Sequence, residues 1–253
     1  MANPAGNYPG RQIFLGTLST GHPAFAYFGS GRSAGSQGRY ATNFIEGENS
    51  IRIKPIDTNE PFDPFRHYQA VRIQPSTGLL VVSNSQAPVD AVYEAYWIGP
   101  KVKRSPHFFV CGLLRQLGPE YDSEEKPTSR IVGVAYRDPE FGWLQTLGIT
   151  DKVGEAAETS PFATEPGVLR FVPTYDGNVN YKNFDPVKLK IEGTNFASVS
   201  RSPQELAEEI YEMSDYVDPK YGELRVWCVA GVQNGNGPGG WEIARRNRHE
   251  VEE

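Results

Sequence analysis

His67-Tyr68-Gln69-Ala70-Val71-Arg72-Ile73-Gln74-Pro75-Ser76-Thr77-Gly78-Leu79-Leu80-Val81-Val82-Ser83-Asn84 reads as a β-hairpin. The runs Ala70–Ile73 and Leu79–Ser83 flank Pro75-Ser76-Thr77-Gly78, whose residue types favour a tight turn. Strand patterns recur on both sides of it. Ile51 and Ile53 alternate with Arg52 and Lys54, and Val187, Leu189 and Ile191 alternate with Lys188 and Lys190, as in strands with one buried face. Gln12–Leu18, Ala24–Phe28, Ile131–Tyr136, Gly142–Leu147, Leu169–Thr174, Leu224–Val229 and Trp241–Arg245 also read as strands. The last two are joined by a long turn, Asn234-Gly235-Asn236-Gly237-Pro238-Gly239-Gly240.

Helices are few. Ser202 can cap a helix, Pro203 suits its first position and Glu205 completes a capping box. Leu206, Ala207, Ile210 and Tyr211 then form one apolar stripe. A second helix is expected over about His107–Leu117 and a third over about Val89–Trp97. Antiparallel strands with separate helices predict an α+β sandwich, and without a repeat or a linker the whole of 1–253 reads as one domain.

Composition narrows the function. At 253 residues the chain can bury a sizeable core, and 38% hydrophobic residues fit a folded protein. A net charge of −6 argues against non-specific nucleic-acid binding. The charge is uneven: residues 1–104 hold ten Lys/Arg against seven Asp/Glu, which suits a local anion site in an acidic protein. Cys111 and Cys228 show no ligand spacing and are expected to be buried and reduced, and the four histidines form no metal pattern. The start of the sequence lacks the features of a signal peptide, and no apolar run approaches the ~20 residues of a membrane helix. The expectation is a soluble, cytoplasmic protein with no membrane or nucleic-acid partner.

The chemistry concentrates in a few segments. Gly29-Ser30-Gly31-Arg32-Ser33-Ala34-Gly35-Ser36-Gln37-Gly38-Arg39 follows a strand and carries two arginines and no acid. Glycines let backbone N–H groups approach an anion, and an arginine can grip a phosphate with two bonds. The plainer alternative is a solvated connector. Tyr68 stands where a loop enters a strand and can donate to a developing oxyanion, or simply lie half-buried. Asn84 can read a substrate amide or begin a turn. Glu124-Glu125-Lys126-Pro127-Thr128-Ser129-Arg130 gathers acids and bases before a strand, as a proton-transfer group or a charged loop.

In order, these segments resemble the archaeal-type inosinate (IMP) cyclohydrolase family. The matching motifs are Tyr8-Pro9-Gly10-Arg11, the Arg32-Ser33 to Arg39 loop, Tyr68-Gln69-Ala70-Val71-Arg72, Val81-Val82-Ser83-Asn84 and Thr128-Ser129-Arg130-Ile131. The sequence departs at Gln69, where the family has asparagine, and at Ser129, where it has proline. Gly35 and Gly38 stand where bacterial members tend to have asparagine. These four positions are expected in or beside the pocket.

The resemblance implies a four-layer α/β/β/α sandwich with mainly antiparallel sheets, like that of the N-terminal-nucleophile hydrolases but without their mechanism. The family reaction closes the purine ring of a formamido-imidazole-carboxamide ribonucleotide to IMP, with no cofactor. On this footing Arg32, Arg39 and Ser33 bind the 5′-phosphate, and Tyr68 and Arg130 polarise the formyl oxygen. Asn84 orients the carboxamide, and Glu125 and Lys126 move protons. The alternatives are a related enzyme recruited for another cyclisation or amide hydrolysis, a non-catalytic nucleotide-binding module and a structural domain. Self-association through exposed sheet edges fits the same fold.

Overall fold

The computed structural model describes residues 10–64, 66–97, 106–121, 127–150, 157–163, 166–174, 192–194, 202–213 and 217–251. Strands β1 (Arg11–Thr17) and β2 (Pro23–Ser30) pair antiparallel. A one-turn helix α1 (Ala34–Gln37) leads into β3 (Arg39–Ala41), β4 (Ser50–Pro55), β5 (Tyr68–Ile73) and β6 (Leu80–Ser83). Helices α2 (Gln86–Trp97) and α3 (Pro106–Leu117) precede the short strands β7 (Glu120–Tyr121) and β8 (Pro127–Thr128). Then come β9 (Ile131–Asp138), β10 (Gly142–Thr150), β11 (Ala157–Ala163), β12 (Val168–Pro173) and β13 (Glu192–Thr194). Helix α4 (Pro203–Met213) is followed by β14 (Val217–Asp218), β15 (Gly222–Glu223), β16 (Arg225–Gln233) and β17 (Trp241–Asn247).

Two sheets dominate. One runs β13-β12-β1-β2-β16-β17, the other β11-β10-β9-β6-β5-β4-β3, and the strand pairings within them are antiparallel. The period-two pattern decides what each strand faces. On β1, Ile13 and Leu15 join an apolar cluster that takes Phe25 and Trp241 from the first sheet and Ile51, Tyr68, Val82 and Leu147 from the second. That cluster lies between the sheets. Phe14, between Ile13 and Leu15, turns the other way and packs with Leu206, Ala207, Ile210 and Tyr211 of α4. On β6, Leu80 and Val82 face the inter-sheet cluster while Val81 meets Val89 and Val92 of α2 and Val110 and Leu114 of α3. At Gly133 on β9 a Cβ would lie 2.8 Å from Ile13 Cγ2, so the sheets close tightly only because that side chain is a hydrogen.

The expected strands among the described residues form, most of them a residue or more longer than the pattern implied. The quoted hairpin is β5 paired with β6, and the turn after Gln233 joins β16 to β17. The alternating run Val187–Ile191 lies outside the described residues. The helix expected from Val89 begins at Gln86. The structure adds α1, which sequence reading took as loop: four residues with no buried side chain leave no period to read. Cys228 is buried and free as expected, but Cys111 is only half-buried, because it sits away from the Val110–Leu114 stripe of α3. No described helix is long and apolar enough to cross a membrane.

Candidate functional site

Antiparallel pairing sets the start of one strand beside the end of its neighbour, so candidate residues far apart in sequence meet at one end of the sheets. Arg11 begins β1 opposite Gly29 near the end of β2. Arg39 begins β3, Tyr68 begins β5, Asn84 follows β6 and Arg130 precedes β9. Tyr27, on β2, reaches across the inter-sheet core, and its hydroxyl lies 2.7 Å from that of Tyr68. The guanidinium carbon of Arg11 is 5.8 Å from the centre of the Tyr68 ring. Burial pushes the Tyr27 pKa well above the usual phenol range, aided by the neighbouring Tyr68 and opposed by the charges of Arg11 and Arg39. Tyr27 therefore keeps its proton, and the two phenol hydroxyls share one hydrogen bond.

The Gly/Ser loop is built, not slack. Its entrance requires glycine at Gly31, where a Cβ would meet the backbone of Ser36 at 2.7 Å. Ser33 caps α1: its hydroxyl accepts from the Ser36 N–H, and the Ser36 hydroxyl accepts from the Ser33 N–H at 2.9 Å. The Gln37 amide donates to the carbonyls of Gly31, Tyr221 and Glu223, which ties the loop to the β14–β15 hairpin. Arg39 is buried, and its Nε donates to the Ser36 carbonyl at 3.0 Å. Arg32 is half-buried between Gly31 and the cap. Arg66, held by Glu60 and Asp63 at 2.6 Å each, presses Nη1 to within 2.2 Å of where a Gly35 Cβ would be. Glu60, Asp63 and Arg66 thus form a second wall of this loop, and His67 is buried beside Tyr68.

A second cluster surrounds Arg130. Its Nε donates to the Gly118 carbonyl at 3.0 Å, and Nη1 contacts the Ser85 hydroxyl and the Glu120 carboxylate, the latter at 3.1 Å. Both members of the Arg130–Glu120 pair are nearly buried, at 13% and 11% side-chain exposure. Two influences on Glu120 oppose each other. Burial raises its pKa, the charges of Arg130 and Arg11 lower it, and burial wins. Glu120 therefore holds its proton more tightly than an ordinary carboxyl, within the field of both arginines.

Asn84 serves the same cluster from inside. Its fully buried amide donates to the Ser129 carbonyl and accepts from the Ile131 N–H, each at 2.9 Å. It brackets Arg130 on both sides and is turned into the protein. Ser129 is also fully buried.

Of the residues expected from sequence, Tyr68, Arg39 and Arg130 stand at the same end of the sheets, linked through Arg11, whose charge bears on both Tyr27 and Glu120. Arg32 and Ser33 lie on the adjoining loop. Glu125 and Lys126 lie outside the described residues. Gln69, the next residue along β5, faces the side of the sheet opposite to Tyr68. Its amide donates to Glu48 at 3.1 Å and to Ser50 at 3.3 Å and lines a separate cleft of about 460 Å³ with Arg52, Arg72 and Tyr93.

Tyr27, Arg11, Ser85 and Glu120 are the residues that sequence reading missed. Tyr27 looks like any core aromatic of a strand. Only Arg11 had a signal, its place in the Tyr8-Pro9-Gly10-Arg11 motif.

Among the described residues, no group of three or more His, Cys, Asp or Glu is placed to hold a metal ion. What the end of the sheets offers is hydroxyl donors, guanidinium groups and one elevated carboxyl, a set suited to gripping an anion and stabilising an oxyanion. No curated protein matches the sequence. A family model described as IMP cyclohydrolase-like protein matches residues 8–234, most of the chain, and the chain belongs to that family.

Proposed function

We propose that the protein is a cyclohydrolase that closes the purine ring of a formamido-imidazole-carboxamide ribonucleotide to give IMP. The carboxamide nitrogen attacks the formyl carbon, a C–N bond forms, and the former formyl oxygen leaves as water once it is protonated. The reaction lies within one molecule, so holding the two groups in contact supplies much of the acceleration. The rest comes from charge stabilisation and proton transfer. On this reading the clusters packed on the two outer sheet faces and the one between the sheets make up an α/β/β/α layering.

The observation that carries the reading is the buried Tyr27–Tyr68 hydroxyl pair under the Arg11 guanidinium. With the Tyr27 hydroxyl donating to the Tyr68 oxygen in the substrate complex, the Tyr68 O–H is left to donate to the formyl oxygen. Arg130 adds positive charge on the same side. Arg32 and Arg39, with the Ser33 hydroxyl, hold the 5′-phosphate. Asn84 acts through the backbone it fixes on either side of Arg130. Glu120 carries the proton to the leaving oxygen, since a carboxyl whose pKa is raised by burial holds its proton to higher pH than an ordinary one. Glu125 and Lys126 belong to the proposal as further proton carriers, to be tested by alanine replacement.

The test is a spectrophotometric assay of purine ring formation from the formylated ribonucleotide. Wild-type protein is expected to turn over, and Tyr68→Phe to lose about 10²-fold or more in kcat with a smaller change in KM. Tight IMP binding with no turnover by the wild type would instead make the protein a nucleotide-binding module.

A further inference from the structure

We infer that the Nε2–H of His67 is a hydrogen-bond donor to an anionic group of the ligand seated beside Arg39 and the Gly/Ser loop. This deepens the proposed function and rests on it: the anion is the phosphate that Arg32 and Arg39 are proposed to hold.

The inference starts from the ring's two nitrogens. His67 Nδ1 lies 3.0 Å from the backbone N–H of Asp63 and accepts its hydrogen bond. A nitrogen that accepts carries no proton, so the ring is neutral and its proton is on Nε2. Burial also lowers the His67 pKa, which favours the neutral form. Nε2 is buried and, among the described residues, has no hydrogen-bond partner, on a residue 8% exposed. A buried N–H without an acceptor is costly, and such groups are rare in folded proteins.

The surroundings indicate the acceptor. The charged groups that bear on His67 are Glu60, Asp63, Arg66 and Arg39. Both carboxylates already hold Arg66. Arg66 in turn lies against Gly35, so the imidazole sits close to where Arg66 meets the loop that ends at Arg39. His67 is also the residue before Tyr68. A phosphate oxygen arriving beside Arg39 would give Nε2–H its acceptor. The Asp63 bond fixes the ring plane beforehand, so little order is lost on binding.

The test uses inorganic phosphate, IMP and inosine as probes. In the wild-type protein labelled with [15N]histidine, saturating phosphate or IMP is expected to move the Nε2–H resonance of His67, and inosine to leave it in place. His67→Asn, which keeps only the Nδ1 position, and His67→Leu are expected to weaken IMP binding about tenfold, with inosine binding unchanged. His67→Gln, which keeps a donor near Nε2, should bind IMP within about threefold of wild type.

Equal losses for IMP and inosine, or no loss in either variant, would overturn the assignment. So would an Nε2 resonance unmoved by phosphate and IMP in the wild type, a measurement that does not depend on any variant folding. Phosphate-dependent shifts in a protein that fails to close the purine ring would leave His67 in place and remove the cyclohydrolase reading instead.

Discussion

A single buried carboxyl shows how local environment sets chemistry at this site. Burial holds the Glu120 pKa up despite Arg130 at 3.1 Å. A raised acid binds its proton more tightly in the folded chain than in the unfolded one. Its contribution to stability is fully present below the ordinary carboxylate range and is lost as pH rises through the folded-state value. Denaturant titrations of wild type and Glu120→Gln between about pH 4 and 7 are expected to converge at the acid end and separate as pH rises. Parallel curves would mean that burial does not govern the group. Glu48 has the opposite sign: its hydrogen bond from Arg52 lowers the pKa, so its contribution is lost as pH falls. That side chain is 37% exposed, and solvent screening keeps its share small.

Two elements each rest on one polar side chain, and only the first of them bears on the candidate site. The join of β6 to β9 depends on Asn84, whose amide bonds the backbone of Ser129 and Ile131. Asn84→Ala strands a buried carbonyl and a buried N–H, at a cost of about 2–4 kcal/mol. Because those groups flank Arg130, urea denaturation should show the loss and enzyme assays a fall in kcat. Helix α4 depends on Ser202, whose hydroxyl accepts from the Glu205 N–H at 3.2 Å. Ser202→Ala is expected to cost about 1 kcal/mol by the same measurement. It should leave activity unchanged, since α4 packs on the face of its sheet turned away from the inter-sheet core.

The molecule as a whole is held by the apolar layer between its sheets. Leu15 is fully buried there, and Leu15→Ala is expected to lower stability by about 2–5 kcal/mol. Phe141, 70% exposed at the β9–β10 turn, is the control, with Phe141→Ala expected within about 0.5 kcal/mol of wild type. Equal effects on the urea midpoint would show that the inter-sheet layer does not dominate. The same layer places Tyr27 against Tyr68, so the core and the candidate site share a side-chain pair.

Alternation and turn chemistry, both written in short stretches of sequence, were enough to find the quoted hairpin, the strands around it and the α4 start. A period of two or 3.6 is a property of neighbouring residues. The candidate residues with an unusual setting in their own segment, such as the arginines of the Gly/Ser loop, Tyr68 and Arg130, are picked out by the same kind of local reading. Tyr27, Glu120 and His67 were not, because nothing beside them in the chain marks them. Their character comes from partners 41, 10 and 4 positions away, in Tyr68, Arg130 and Asp63. It comes also from burial, which exists only once the two sheets have closed on each other. Gln69 makes the converse point: one step from Tyr68 along the chain, it is turned by the pleat to the other face of its sheet.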